Sequence, residues 1–223
     1  LIASSVMSKK LAAGAQGIVL DVKVGSGAFM KTVEEAQQLA RTMVDIGVGA
    51  GRRVRALLTD MSQPLGMAVG NALEVKEAIE TLQGGGPEDL RRLSLALAAN
   101  MLQLADDKMS YAEALEHMEG ILVSGKAYDK FREMVEAQRG VLSEKAGYGL
   151  PQAAVKVECR AEKAGFIQEL DALGVGWTAM RLGAGRERIT DGIDLSVGVE
   201  LCKKRGDRVN AGETLAILHA RRE

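Results

Sequence analysis

The sequence predicts an α/β protein with a parallel sheet, an α-rich stretch after that sheet, and an α+β domain at the carboxyl end. Three observations support this prediction. Patterns of a strand, a helix and a second strand follow one another within the first 60 residues. Helical patterns then fill most of the chain to about residue 140. Short apolar runs separated by glycine turns follow residue 150.

The first strand is predicted at Gly17–Val24, a nearly continuous apolar run of the kind that is buried on both faces of a parallel sheet. The next helix begins with the capping-box pair Thr32 and Glu35, and a second strand follows at Arg53–Asp60. A strand, a helix and a strand in this order form a right-handed crossover, so we expect the two strands to be parallel.

The stretch after Pro64 is predicted to be mainly helical. Asn71 and Glu74 form a second capping-box pattern, and three glycines at 84–86 end that helix. Pro87 occupies the first-turn position of the helix that follows. Two further helices are expected before the pattern changes near residue 150.

The chain changes character near residue 150, where we predict a domain boundary. Apolar and charged residues alternate at 155–158, a strand is expected at 166–170, and a helix is expected at 172–182. Short β runs with glycine turns follow residue 193. This last segment is therefore predicted to be an α+β domain.

The first 13 residues already have helical periodicity, and no N-cap residue precedes them. The chain starts with Leu1 instead of methionine, and it has no signal-peptide pattern. We therefore expect an internal fragment of a longer protein. The last residues contain no stopping signal that would exclude truncation after Glu223.

Composition argues against several classes of function. The net charge is −1 and aromatic residues make up 3% of the chain, so nucleic-acid binding is not expected. The longest apolar stretch, 93–105, is shorter than a bilayer span and contains Asn100 and Gln103, so no membrane segment is expected. Cys159 and Cys202 lie far apart, which argues against a disulfide framework or a thiolate zinc site and favours a cytoplasmic protein.

Three segments contain residues suited to ligand binding. The glycine-rich loop 25–29 follows the first strand at the edge where α/β sheets bind ligands, but its spacing is equally typical of a tight turn. Ser5 and Lys9 lie on one helical face, where they either contact a planar polar ligand or remain solvated. The loop 60–66 runs toward Glu77 and offers oxygen ligands to a hard cation, a weak pattern by itself.

Four blocks of sequence have a distinctive order and spacing. The first two read Ser-Ser-Val-Met-Ser-Lys-Lys-Leu-Ala-Ala-Gly at 4–14 and Leu-Asp-Val-Lys-Val-Gly-Ser-Gly-Ala-Phe-Met-Lys at 20–31. The other two lie at 58–66 and 70–78, and a glycine-turn pattern occurs at 206–215. Over essentially its whole length, the chain closely resembles the pyrimidine-nucleoside phosphorylase and thymidine phosphorylase family.

Enzymes of this family cleave a pyrimidine nucleoside with inorganic phosphate, so the resemblance implies a nucleoside substrate and phosphate as co-substrate. It implies that Ser5 and Lys9 bind the pyrimidine ring, that Lys9 is catalytic, and that Phe29 lies near the base. An ammonium group beside a carbonyl of the leaving base stabilises the charge that develops there. The free base and a pentose 1-phosphate are the expected products.

The resemblance also implies a potassium site formed by the backbone carbonyls of Leu65 and Ala68 and the carboxylate of Glu77. The ion is expected to brace a loop and to take no part in the chemistry. A homodimer is expected for the whole protein.

Family members have a small helical lobe that closes on the α/β domain. The resemblance therefore implies the end of that lobe at 1–13, an α/β phosphorylase domain at 14–150 and a C-terminal α+β domain at 151–223, which resembles a barrel-sandwich. The family's phosphate loop and its other base and cation ligands precede the segment that corresponds to Leu1. We therefore expect this fragment to be inactive by itself.

Three alternatives stay open at this point. A strict thymidine phosphorylase has similar motifs, although the blocks look more like enzymes that accept uridine, thymidine and deoxyuridine. A relative of the anthranilate phosphoribosyltransferase type would lack the extra C-terminal domain. A non-catalytic carrier module needs an exposed lysine in a tight hairpin, which the turns at Gly206 and Gly212 do not supply.

Overall fold

The predicted strand–helix–strand unit is present in a computed structural model of the chain, which describes residues 1–143 and 147–222. β1 (Gly17–Val24) and β2 (Arg53–Asp60) pair in parallel along their whole length, and α2 (Val33–Gly49) connects them. The Thr32 hydroxyl accepts the Glu35 N–H at 3.2 Å, and the Glu35 carboxylate accepts the Thr32 N–H in return. The predicted parallel pair and capping box are therefore confirmed.

α1 (Ile2–Ala12) packs against α2. Every second residue of β1 points into the core that these helices share with the strand. The buried side chains of this core are Ala3, Met7, Ile18, Leu20, Val22, Ala36, Ala40 and Met43.

The predicted α-rich stretch is confirmed by α3 (Asn71–Leu82), α4 (Glu88–Ala105), α5 (Tyr111–Val123) and α6 (Lys126–Ala137). The capping box expected at Asn71 is wrong, because the N-cap of α3 is Gly70, whose N–H donates to the Glu74 carboxylate at 3.1 Å. Within the described ranges, no helix combines the length and apolar character that a membrane span requires.

Within the residues that the structure describes, six strands follow β2. They are β3 (Ala68–Val69), β4 (Val155–Arg160), β5 (Gly165–Phe166), β6 (Gly198–Leu201), β7 (Arg208–Val209) and β8 (Thr214–Ala220). Four of them form an antiparallel sheet in the order β3-β6-β8-β4, and β5 pairs with β7. The helix predicted at 172–182 is present as α7 (Ala172–Ala179), which continues into a π-helical turn (Met180–Ala184).

The strand predicted at 166–170 is wrong in its extent, because β5 ends at Phe166. Ile167 bonds instead to the turn before β7, where its N–H donates to Asp207 at 2.9 Å and its carbonyl accepts from Gly206 at 2.8 Å. The short partner strand β7 therefore limits the length of β5.

The chain divides into two compact units. The first comprises Leu1–Ser62 and Arg91–Ile121, and the second comprises Gln63–Leu90 and Leu122–Glu223. The predicted α/β class is confirmed by the parallel pair in the first unit and the mixed helices and sheets of the second. The domain limits at 13 and 150, the helical lobe and the barrel-sandwich arrangement stay predictions.

Candidate functional site

The glycine-rich loop 25–29 leaves β1 and packs onto the turn that follows β2. The Gly27 N–H donates to the Met61 carbonyl at 2.9 Å. Gly25 has a φ of +126°, and a Cβ on it would lie only 2.9 Å from the Ser62 nitrogen. A glycine is therefore required here for a close approach of two backbone segments, as in the tight-turn interpretation.

Phe29 projects from this loop and is 90% exposed. It lines a cavity of about 530 Å³ in the first unit. The other apolar lining residues come mainly from α1, β1 and α2, and include Ile2, Val6, Val22, Leu39 and Met43.

Ser5 and Lys9 are exposed on one face of α1, as their spacing predicts. The opposite face of the helix is anchored in the core by Ala3 and Met7. Neither Ser5 nor Lys9 lines the cavity to which Phe29 contributes. The structure therefore places the two polar residues together but does not bring them to Phe29 in this cavity, and their roles stay predictions.

The sequence analysis missed a polar cluster, two of whose residues, Asp21 and Lys23, line the same cavity. The Lys23 ammonium lies 2.6 Å from the Asp21 carboxylate and donates to the Thr59 hydroxyl at 3.0 Å. The Thr59 hydroxyl in turn donates to Asp21. The sequence did contain a sign of this cluster. Asp21 and Lys23 are opposite charges two residues apart in an otherwise apolar strand, and residues at this spacing share one face of a sheet.

In the second unit, Glu77 of α3 supports the segment that precedes β3. Its Oε1 atom accepts the N–H groups of Met67 at 2.8 Å and Ala68 at 3.0 Å. Glu77 is only 9% exposed, and this burial raises the pKa of its carboxyl group, with the two N–H donors opposing the shift.

The ladder between β3 and β6 determines where the backbone groups of Ala68 point. The Leu201 N–H donates to the Met67 carbonyl at 2.7 Å, and Ala68 is the register partner of Glu200. Since bonded and non-bonded pairs alternate in an antiparallel ladder, Ala68 directs its N–H and carbonyl away from β6. The N–H meets Glu77, so the Ala68 carbonyl lies on the same outer side of β3.

The carbonyls of Leu65 and Ala68 and the carboxylate of Glu77 fit a hard monovalent cation, because all three are oxygen donors and only one is a carboxylate. Glu77 and the Ala68 carbonyl lie on one side of β3, and Leu65 belongs to the half-buried segment just before it. Among the residues that the structure describes, no three His, Cys, Asp or Glu side chains are grouped to hold a metal ion. A site here therefore depends on backbone carbonyls.

Two charged residues beside this segment were also missed by the sequence analysis. The Lys204 ammonium contacts the Pro64 carbonyl and lies 3.0 Å from Asp89 at the start of α4. Partial burial opposes ionisation of Asp89, but the hydrogen bond and charge of Lys204, with the N–H groups of Leu90 and Gly66, hold the pKa of this carboxyl below its usual value.

The two histidines and the two cysteines do not line the cavity to which Phe29 contributes. His219 is buried in β8, and its Nε2 atom lies 3.0 Å from the Glu200 carboxylate. His117 is exposed on α5. Cys159 and Cys202 are both free thiols, so they form no disulfide with each other.

Two segments of the chain match known protein families. Residues 2–128, more than half of the chain, match the family model described as the glycosyl transferase family, a/b domain. The chain belongs to this glycosyl transferase family. Residues 166–223 match a second family model, the pyrimidine nucleoside phosphorylase C-terminal domain.

Individual relatives of the chain agree with the family models. The chain is 51% identical over 226 residues to a pyrimidine-nucleoside phosphorylase of Bacillus subtilis (strain 168). The matched region covers 100% of this chain and 52% of the relative. Proteins of the same name from Staphylococcus haemolyticus (strain JCSC1435) and Staphylococcus aureus (strain USA300) are 51% and 49% identical, again over 100% of this chain and 52% of their own length. The predicted family resemblance is confirmed, and the chain spans about half the length of the curated relatives it matches.

Proposed function

We propose that the whole protein cleaves pyrimidine nucleosides with inorganic phosphate to give the free base and a pentose 1-phosphate. The observation that supports this proposal is 49 to 51% identity, along the entire chain, to proteins named pyrimidine-nucleoside phosphorylase. In this reaction the bond from the sugar to the base nitrogen breaks, and a bond from the sugar to a phosphate oxygen forms. The reaction is therefore a glycosyl transfer to phosphate.

Lys9 is the catalytic residue in this proposal, and Ser5 and Lys9 bind the pyrimidine ring. Their common exposed face on α1 suits two hydrogen bonds to one planar ligand. Negative charge moves onto the base as its bond to the sugar breaks, and the Lys9 ammonium stabilises that charge most strongly in the transition state. The exposed ring of Phe29 supplies an apolar surface near the base.

The test is phosphate-dependent release of uracil and thymine by the whole protein, with Lys9→Ala as the variant. We expect kcat/KM to fall by about 10²- to 10³-fold, the usual loss when one donor to a developing negative charge is removed. Lys108→Ala is the control, because Lys108 is an exposed lysine outside α1. It should leave kcat/KM essentially unchanged.

Two outcomes would contradict the proposal. A folded whole protein that releases neither base has a different activity, and full activity in Lys9→Ala removes the assigned role of this residue. The 223-residue chain by itself should release no base, since the proposed enzyme is about twice as long.

The substrates in this proposal are uridine, thymidine and deoxyuridine. The comparison of kcat/KM for uridine and thymidine tests this breadth, because a strict thymidine phosphorylase would discriminate strongly against uridine. The phosphoribosyltransferase and carrier-module alternatives are not favoured, since relatives of about 50% identity are named as phosphorylases.

A potassium ion, held by the carbonyls of Leu65 and Ala68 and by the Glu77 carboxylate, completes the proposal. The ion would neutralise the buried carboxylate and brace the segment before β3. Potassium should therefore raise the melting temperature of the whole wild-type protein more than choline does, and Glu77→Gln should abolish the difference. An equal effect of both cations on the wild type would contradict the site.

The whole protein is also proposed to be a cytoplasmic homodimer. Sedimentation equilibrium of the whole protein should give twice the chain mass. A mass of one chain over the whole concentration range would contradict the dimer.

A further inference from the structure

Lys204, in the turn after β6, reaches a segment that lies far from it in sequence. Its ammonium contacts the Pro64 carbonyl and lies 3.0 Å from Asp89 Oδ2, and its side chain is only 16% exposed. The partners are 140 and 115 positions away along the chain. A lysine with so little exposure and two oxygen partners is not an ordinary solvated surface residue.

The residues around Lys204 bond to the same segment, residues 63–68, which we call the 63–68 loop. The Arg205 N–H donates to the Gln63 side chain at 3.0 Å at one end of the loop. The Leu201 N–H donates to the Met67 carbonyl at 2.7 Å near the other end. The end of β6 and the turn that follows it therefore contact the loop at its two ends, and Lys204 contacts it between them.

Asp89 connects Lys204 to the middle of the loop. The same Oδ2 atom that pairs with Lys204 accepts the Gly66 N–H at 3.2 Å. Gly66 comes directly before Met67 and Ala68, whose N–H groups donate to the Glu77 carboxylate. The conformation of the 63–68 loop is thus maintained by two carboxylates and one ammonium.

The three charges also affect one another. Gly66 lies against both carboxylates, because its N–H donates to Asp89 and a Cβ on it would collide with Glu77 Oε2, and Lys204 pairs with the same Asp89 oxygen. With both carboxylates ionised, the ammonium leaves a single negative charge beside the loop. This balance matches one monovalent cation, whereas removal of the ammonium would leave two negative charges, which match a divalent ion.

We propose that Lys204 is a positioning residue that holds the 63–68 loop in its cation-binding conformation and sets the local charge for a monovalent ion. This inference rests on the potassium site proposed above. Its test measures the loop and the ion separately, so that failure of one part can be distinguished from failure of the other.

The experiment compares Lys204→Met with Lys203→Met in the whole protein. Lys203 is the adjacent lysine and pairs with Glu213 at 2.5 Å, so its substitution removes the same charge from the same turn without touching the loop. Amide hydrogen exchange at Gly66, Met67 and Ala68 reports on the loop. The rise in melting temperature with potassium and with calcium, each relative to choline, reports on the ion.

We expect faster exchange at these three amides in Lys204→Met and wild-type exchange in Lys203→Met. Potassium affinity should fall by about 10- to 100-fold in Lys204→Met, as for other residues that hold metal ligands in place. Calcium should stabilise Lys204→Met more than it stabilises the wild type. Lys204→Arg, which keeps the charge, should retain the preference for potassium.

The positioning role, the charge-setting role and the ion site can each be overturned separately. Wild-type exchange at the three amides in Lys204→Met would overturn the positioning role. An equal loss of melting temperature in potassium, calcium and choline would show a purely structural role and overturn the charge-setting part. Absence of any potassium effect on the wild-type protein would overturn the proposed ion site itself, while the exchange data would still decide the positioning role.

Discussion

The Oε1 atom of Glu77 lies 3.0 Å from the backbone nitrogen of Ala68 and also accepts the Met67 N–H. Because the Ala68 N–H is buried and the Met67 N–H is partly buried, Glu77→Ala should lower the free energy of unfolding by about 2 to 4 kcal/mol, the cost of leaving them unpaired. Glu77→Gln keeps an acceptor oxygen and should cost less. Urea unfolding followed by circular dichroism measures both.

Glu80 is the matched control for Glu77, because it lies on the same helix and its carboxylate is exposed in a pair with Lys76 at 3.6 Å. Glu80→Ala should change the free energy of unfolding by less than about 0.5 kcal/mol. Equal losses for Glu77→Ala and Glu80→Ala would contradict the structural role of Glu77.

Gly66 lies against the Glu77 carboxylate, and a Cβ at Gly66 would collide with its Oε2 atom. Gly66 has a φ of +70°, and Gly212 has a φ of +80° with no atom of the described residues within 4 Å of its Cβ position. Gly212→Ala should therefore cost only the backbone strain, about 1 kcal/mol of unfolding free energy. Gly66→Ala should cost about 2 kcal/mol more, because the carboxylate must move. Similar losses in both variants would show that Glu77 does not restrict this position.

Asp194 is expected to make stability depend on pH in the acid range. The Arg221 guanidinium, together with Ser196, lowers the pKa of Asp194 to about 2. Because an unfolded aspartate titrates near about 3.9, this contribution to stability is complete above about pH 4. It should be lost as the pH falls through about 2, where the folded carboxylate takes up its proton.

Arg221→Gln tests this dependence through urea unfolding at several pH values. The variant should be less stable than the wild type above about pH 4, and the difference should vanish toward about pH 2, where Asp194 is protonated in both proteins. Arg222→Gln removes a neighbouring exposed charge and should leave the pH dependence unchanged. A constant difference between Arg221→Gln and the wild type at all pH values would contradict the assignment.

Met7 anchors α1 in the core of the first unit and has no exposed surface. Met7→Ala should reduce the free energy of unfolding by about 2 to 5 kcal/mol, since it removes buried methylene groups and leaves a cavity. Met101→Ala is the control, because Met101 is 55% exposed, and it should cost much less. If both variants lose the same stability, α1 does not depend on this anchor.

The sequence was sufficient for elements whose pattern is local. β1 is a nearly continuous apolar run with a glycine at its start, and Thr32 and Glu35 are only three residues apart, so both features were predictable from short windows. Ser5 and Lys9 share an exposed face for the same reason, since helical periodicity places residues four apart on one side.

The errors occurred where a distant partner decides local structure. The Asn71 side chain donates to the Ala184 carbonyl at 2.9 Å, more than a hundred residues away, and Gly70 takes the cap position instead. β5 stops at Phe166 because its partner β7 is only two residues long. Neither partner is visible in the window of sequence from which the element is predicted.

The sequence by itself determined the strand–helix–strand unit, the α-rich stretch and the family, because periodicity and residue identity are properties of the linear chain. Only the tertiary structure decided that Lys204 contacts Pro64 and Asp89, and that Lys23 joins Asp21 to Thr59. A lone charged residue has the same local pattern whether it is solvated or paired. Its role depends on which distant oxygen atoms the path of the chain brings within hydrogen-bonding distance.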